Sequence, residues 1–208
     1  MGQPAWGRRL PSTERRATLS TIATTTNSTT LHGVFMEMYG LGVLLSGPSG
    51  VGKSELALEL LTRGHRLVAD DATDFNRDDK GELQGHCPPL LSGFLEARSL
   101  GILNVEKMFG AASMLSAHRL DLVIRLEFHH EMLAPLERLE GRRGNVRLFD
   151  IDVPEISIPI RLGHNLAVLV EAACRDLKLR QTGYRADEDF SARQLQAIRE
   201  SNSQADTD

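Results

Sequence analysis

The chain has 208 residues, enough for one α/β domain with extensions and too few for a second full domain. Hydrophobic residues make up 41% and charged residues 25%, so a core can form; 24 basic against 28 acidic side chains leave a net charge of −4, which gives no support to a broadly electrostatic nucleic-acid binder and favours a protein or small-molecule partner. No apolar run reaches the ~18 residues that span a bilayer, no secretory signal opens the chain, and Cys87 and Cys174 lack metal-ligand spacing, a pattern that suits two reduced thiols in a soluble cytoplasmic protein.

Residues 1–30 set Arg8, Arg9, Arg15 and Arg16 among many Ser and Thr, with Glu14 the only acid and no sustained apolar period. This composition reads as a disordered leader or the remnant of a linker. From Leu31 to Tyr39 apolar residues alternate, predicting one strand with His32 at its start. Gly40 turns the chain into a second strand, buried, over Gly42 to Ser46.

That strand feeds Gly47-Pro48-Ser49-Gly50-Val51-Gly52-Lys53-Ser54, a full match to the phosphate-loop pattern G-x-x-x-x-G-K-S/T. The three glycines let the backbone wrap closely and turn successive N–H groups inward as a nest for oxygen anions. Lys53 adds a charge that reaches the β- and γ-phosphates. Ser54 offers a hydroxyl to Mg²⁺ at the first turn of a helix, whose positive dipole end faces the same phosphates. The helix reads over Glu55 to Leu61 and stops at Gly64.

Next comes Arg66-Leu67-Val68-Ala69-Asp70-Asp71, a short apolar strand ending in two carboxylates. Ligands of open α/β sheets sit beyond the carboxyl ends of strands, so the pair is delivered beside the phosphates. One carboxylate suits Mg²⁺ through water and the other suits the proton of an attacking hydroxyl. The competing run, Asp121 to Phe128, reads as a further strand whose acids lie at the wrong end or on an alternating face.

Between these, Asp78-Asp79-Lys80-Gly81 signals a hairpin within Thr73 to Pro89, expected as a protruding ribbon. Glu96 and Arg98, an acid and a base in the apolar stretch 95–105, read from spacing as a structural ion pair. Residues 129–148 collect His129, His130, Arg138, Arg142, Arg143 and Arg147 in a flexible basic loop, either solvated surface or the source of an arginine for transferring charge. Pro154 to Ile160 is extended. Asn165 N-caps a helix with Leu166, Leu169, Val170, Ala173, Cys174 and Leu177 on one face, ending before Gly183. A last amphipathic helix runs through Phe190, Leu195 and Ile198, ahead of a polar tail from Ser201.

Several of these blocks, in this order, resemble the catalytic domain of HPr kinase/phosphorylase. They are His32-Gly33, the phosphate loop continuing to Leu60, Arg63-Gly64-His65, Val68 to Asp71, Leu95-Glu96-Ala97-Arg98 with Leu100-Gly101-Ile102, and Ile158 to Arg161 with Gly163 and Asn165 to Val168. The resemblance covers about residues 31–180. It implies an α/β P-loop kinase domain with a mixed central sheet, phosphoenolpyruvate-carboxykinase-like, over 31–200, a short form holding the catalytic domain only.

The implied activity is transfer of phosphate from ATP, or from pyrophosphate in some members, to a serine of the phosphocarrier protein HPr. Many members reverse it with inorganic phosphate. By the same resemblance Asp71 is the general base, and the acid in reverse, with Asp70 beside it; Lys53 and His32 bind or orient phosphate; Ser54 and Glu96 hold Mg²⁺. Arg138, in Leu136-Glu137-Arg138-Leu139, is similar to the catalytic arginine of a mobile loop, and the assembly implied is a homohexamer. Three positions depart from the pattern: Pro48 where an acid is frequent, and Leu162 and His164 where proline and arginine are common in a segment tied to dephosphorylation. From the residues alone, an ATP-binding sensor without transferase activity and a small-molecule P-loop kinase stay open.

Overall fold

A computed structural model describes residues 21–25, 28–128, 139–161 and 163–205. The chain forms β1 (Thr21–Thr25), β2 (Ser28–His32), β3 (Val34–Met38), β4 (Leu41–Ser46), α1 (Lys53–Thr62), β5 (Arg66–Ala69), β6 (Ala72–Arg77) and β7 (Leu83–His86). It continues through β8 (Phe94–Ala97), β9 (Gly101–Asn104), α2 (Val105–Phe109), β10 (Ala117–Arg119), β11 (Leu122–Phe128), β12 (Arg142–Leu148), β13 (Ile151–Ile160), α3 (Leu166–Gln181) and α4 (Ala186–Ala205).

The central sheet has the order β12-β13-β11-β4-β3-β5. Strands β4, β11 and β13 are mutually parallel, while β3 runs antiparallel to both β4 and β5. Consequently β4 and β5 point the same way, and the loops leaving their carboxyl ends emerge on one side of the sheet. The expected mixed α/β sheet is thus observed. Its central strands are buried on both faces, which explains their unbroken apolar runs.

One face, through Val43, Leu45, Met36 and Ile124, packs on Leu56 and Leu60 of α1 and on Val170, Cys174 and Leu177 of α3. The other face, through Phe35, Leu44 and Val123, packs on Leu31, Phe75 and Leu83 of an antiparallel sheet ordered β1-β2-β6-β7-β10. Phe35 and Phe75 meet edge to face across that interface, with ring centroids 5.2 Å apart.

Several expectations change. Leu31 to Tyr39 is two strands, broken at Gly33, whose φ of 152° passes the chain from one sheet to the other. The break left no mark in the apolar pattern: β2 buries Thr29 and Leu31, whereas β3 is buried at every residue, so apolar side chains run on through Gly33 into the second strand. All of β1 and the first three residues of β2 also lie within 1–30, read as lacking any element. Their Thr-rich sequence is β-branched but not apolar, and Thr29 and Leu31 supply the buried face.

The β6–β7 hairpin turns at Asp78 to Gly81 as expected, yet it does not protrude: β6 pairs with β2, β7 with β10, and Phe75 and Leu83 are buried. Part of the basic stretch is the edge strand β12, antiparallel to β13, which itself is longer than Pro154 to Ile160. Asn165 caps α3 by accepting the Val168 N–H at 3.1 Å, but Leu169 on the expected apolar face is exposed. Helix α4 continues past Ser201 to Ala205, with Phe190, Leu195 and Ile198 exposed. Both cysteines are free thiols, and burial pushes Cys174 up to about 12. Among the described residues no helix is long and apolar enough to cross a membrane.

Candidate active site

The phosphate loop joins the end of β4 to the start of α1. Gly47 has φ 144°, and a Cβ there would lie 2.4 Å from the Leu126 carbonyl oxygen of β11, so the loop can leave the sheet only at glycine. Gly52, with φ 94°, is the N-cap of α1. The Val51 side chain is buried as the loop's anchor in the core, and its N–H donates to the Pro48 carbonyl at 3.3 Å.

Lys53, the first residue of α1, folds back over the loop. Its Nζ donates to the carbonyl oxygens of Gly47 at 3.0 Å and Pro48 at 3.1 Å. Burial holds the ammonium below its ordinary pKa, opposed by Asp71 and Asp70 and reinforced by Arg98. One position on, Ser54 Oγ donates to Asp70 Oδ1 at 3.3 Å.

Asp70 and Asp71 leave the end of β5 with opposite fates. The Asp70 carboxylate is buried, and its Oδ2 accepts the Glu96 N–H of β8 at 2.8 Å. Burial pushes its pKa above the ordinary value despite the hydrogen bonds from Glu96 and Ser54. Asp71 takes φ 62°, in the left-handed region, which turns its side chain outward to 78% exposure. Its carbonyl oxygen accepts the Gly33 N–H at 3.1 Å and lies 3.0 Å from His32 Nδ1.

Ser49, Gly50, Gly52, Lys53, Ser54, Asp70, Asp71 and Glu96 therefore share one open cleft. His32 borders it through Asp71, and Gly47, Pro48 and Val51 contribute through the loop backbone. Arg138 lies outside the described residues, as does Leu162. The expected ion pair of Glu96 with Arg98 is not formed: among the described residues neither side chain makes an ion pair, and both face the cleft. Alternation brings them to the cleft side, since Leu95 and Ala97 are buried and Glu96 takes the opposite face, while Arg98, in the turn just past β8, reaches Ser49 Oγ at 2.9 Å instead of Glu96. That alternation was legible, and it marks Arg98 as a cleft residue that spacing alone assigned elsewhere. The competing Asp121 is spent on structure, accepting the Gly42 N–H at 2.8 Å and pairing with Arg119.

The donor set of Ser54, Asp70 and Glu96 is a hydroxyl and two carboxylates, all hard oxygens. It suits Mg²⁺, which takes one or two carboxylates and completes its shell with phosphate oxygens and water. No cluster of three His, Cys, Asp or Glu among the described residues could hold a metal unaided.

The family described as HPr Serine kinase C-terminal domain matches residues 23–194. A protein of Geobacillus thermodenitrificans called HPr kinase/phosphorylase is 46% identical over 173 residues, covering 83% of this chain and 56% of its own length. One of Bacillus pumilus with the same description is 45% identical over 171 residues, covering 82% and 55%. The chain thus spans about half the length of the curated relatives it matches. A solved structure, the Hpr(Ser) kinase/phosphatase from Coxiella burnetii, superposes with a TM-score of 0.71 at 34% identity, covering 77% of this chain and 97% of that one.

Proposed function

Since the chain belongs to the HPr serine kinase C-terminal domain family, we propose that it is an ATP-dependent kinase for a serine of the phosphocarrier protein HPr, which inorganic phosphate can reverse. The observation that carries this reading is the divergence of two adjacent acids beside the phosphate loop: Asp70 buried against Ser54, Asp71 exposed in the cleft. A protein that only sensed nucleotide has no use for the second.

In the forward direction the loop N–H groups and the start of α1 hold the donor's inner phosphates. Lys53 exchanges its two carbonyl partners for phosphate oxygens. The Asp71 carboxylate takes the proton of the seryl hydroxyl as its oxygen attacks the terminal phosphorus. In reverse, Asp71 returns that proton to the serine as inorganic phosphate attacks phosphoserine, forming pyrophosphate. His32 orients Asp71 through its carbonyl. Ser54, Asp70 and Glu96 would hold Mg²⁺, which when bound would neutralise charge on the phosphates.

The same reading makes the enzyme cytoplasmic and hexameric. Support for assembly is the exposed apolar series Phe190, Leu195 and Ile198 on α4. The test incubates the protein with HPr, Mg²⁺ and γ-labelled ATP, then adds inorganic phosphate. Label appears on HPr and is then released as pyrophosphate; no label on HPr overturns the kinase reading, and label that phosphate cannot remove overturns reversibility.

A further inference from the structure

We infer that Arg98 is a second cationic contact for the bound polyphosphate, placed at the tip of the loop to hold the terminal phosphoryl group. The inference rests on the polyphosphate reading of the loop and is independent of the acceptor.

Arg98 occupies the turn between β8 and β9, on the cleft face shared with Glu96. Its guanidinium reaches across to the phosphate loop, where Nη2 donates to Ser49 Oγ at 2.9 Å. The group packs close against Gly50: a Cβ built there would be 2.7 Å from Nη1 and 3.3 Å from Cζ. Glycine at position 50 thus leaves room for the planar cation as well as for the backbone nest.

Ten other arginines, among them Arg66, Arg125 and Arg180, form ion pairs among the described residues. Arg98 forms none there, and its hydrogen-bond partner is a neutral hydroxyl. Lys53 enters the same cleft and likewise bonds only neutral oxygens. Burial is the first cause that holds Lys53 below its ordinary pKa; Asp71 and Asp70 oppose it, and Arg98 adds to it by a smaller repulsion across the cleft that an anion between the two cations would relieve. A guanidinium fork matches two phosphate oxygens, and a charge-assisted bond to phosphate displaces one to a serine hydroxyl.

Position decides which phosphate. The inner phosphates belong to the N-terminus of α1, at Gly52 to Ser54, where orphan N–H groups and the helix dipole converge. Ser49 and Gly50 stand at the other side of the loop, so a cation resting on them meets the outer phosphoryl group.

The test is equilibrium binding of ATP, ADP and pyrophosphate with Mg²⁺ to the wild type, Arg98→Ala and Arg98→Lys, with thermal melting to show that each folds. Arg98→Ala is expected to weaken ATP by about tenfold or more and ADP by less than about twofold, with Arg98→Lys between the two for ATP. Equal losses for ATP and ADP, or none, overturn the inference while leaving the kinase reading in place. Failure of the wild type to bind ATP overturns both. Failure of HPr labelling with selective loss of ATP in Arg98→Ala overturns only the kinase reading.

Discussion

The Asp71 carboxylate lies 3.9 Å from His32 Nδ1, while the same ring nitrogen lies 3.0 Å from the Asp71 carbonyl oxygen. A carbonyl only accepts, so Nδ1 carries the hydrogen and the imidazole holds the backbone of Asp71 together with the Gly33 N–H. The turn is thereby fixed with the carboxylate pointing out. Asn tolerates the left-handed region as Asp does. Asp71→Asn is therefore expected to keep the fold and the nucleotide affinity while cutting phosphoryl transfer by about 10²–10⁴-fold. Initial rates beside a binding isotherm check it; a variant keeping more than a tenth of the rate removes Asp71 from the role of base.

If Glu96 holds Mg²⁺ as proposed, it offers a separate handle on the metal. Its backbone N–H satisfies buried Asp70, whereas its side chain is exposed in the cleft. Glu96→Gln preserves the backbone bond and removes the anionic charge of the proposed ligand. The Mg²⁺ concentration needed for half-maximal ATP binding is expected to rise by about tenfold, with stability unchanged within about 0.5 kcal/mol. Titrating Mg²⁺ against ATP affinity separates this from a general defect, since ADP binding without metal stays constant.

Much of this site was legible because the phosphate-loop pattern constrains several positions at once. Gly47, Gly52, Lys53 and Ser54 are fixed positions of one pattern that expects a strand before it and a helix after it, and β4 and α1 stand in those places. Asp70 and Asp71 were placed by a general rule of open sheets, although only the structure separates the buried acid from the exposed one. Sequence was weaker where one period served two partners: alternation through Leu31 and Val34 looks alike in one strand or in two, and the break rests on a single φ at Gly33. It was weaker again at β12, where Arg142, Arg143 and Arg147 mask an edge strand defined by pairing with β13. Arg98 was misassigned because proximity in sequence to Glu96 suggested a bond, whereas its guanidinium turns to Ser49 of the phosphate loop, a partner remote in sequence.

Glu37 gives a pH dependence unconnected with catalysis. Its carboxylate, nearly buried, accepts from Arg66 Nε at 2.7 Å and from the Gly40 N–H, tying β5 to the β3–β4 turn. Burial pushes its pKa up, but these bonds and the Arg66 charge outweigh it and hold the group below its ordinary 4.5. A depressed pKa stabilises the fold above the unfolded value, and this contribution is lost as pH falls through the folded value. Glu37→Gln is expected to cost about 1 kcal/mol at pH 7, where Arg66 is partly solvated and screened. The gap between wild type and variant then closes as pH drops below 4.5. Urea unfolding at neutral and acid pH measures it, and a gap that persists in acid excludes the ionised carboxylate as its source.

Gly33 carries the topology. Its φ of 152° lies in a region that side-chain-bearing residues rarely adopt, and a Cβ would stand 2.4 Å from the Leu45 carbonyl oxygen. That oxygen belongs to β4, in the register Val34↔Leu45, so it cannot move without breaking the central sheet beside the phosphate loop. Gly33→Ala therefore faces strain and a backbone clash together, and is expected to lose at least about 2 kcal/mol of stability. The same substitution disturbs the Gly33 N–H that holds the Asp71 carbonyl, so transfer should fall further than the loss of folded protein explains. Denaturant midpoints, with the slope unchanged, report the first effect. Rates normalised to folded enzyme report the second, and a variant as stable as wild type would mean that the chain can cross between the sheets without this glycine.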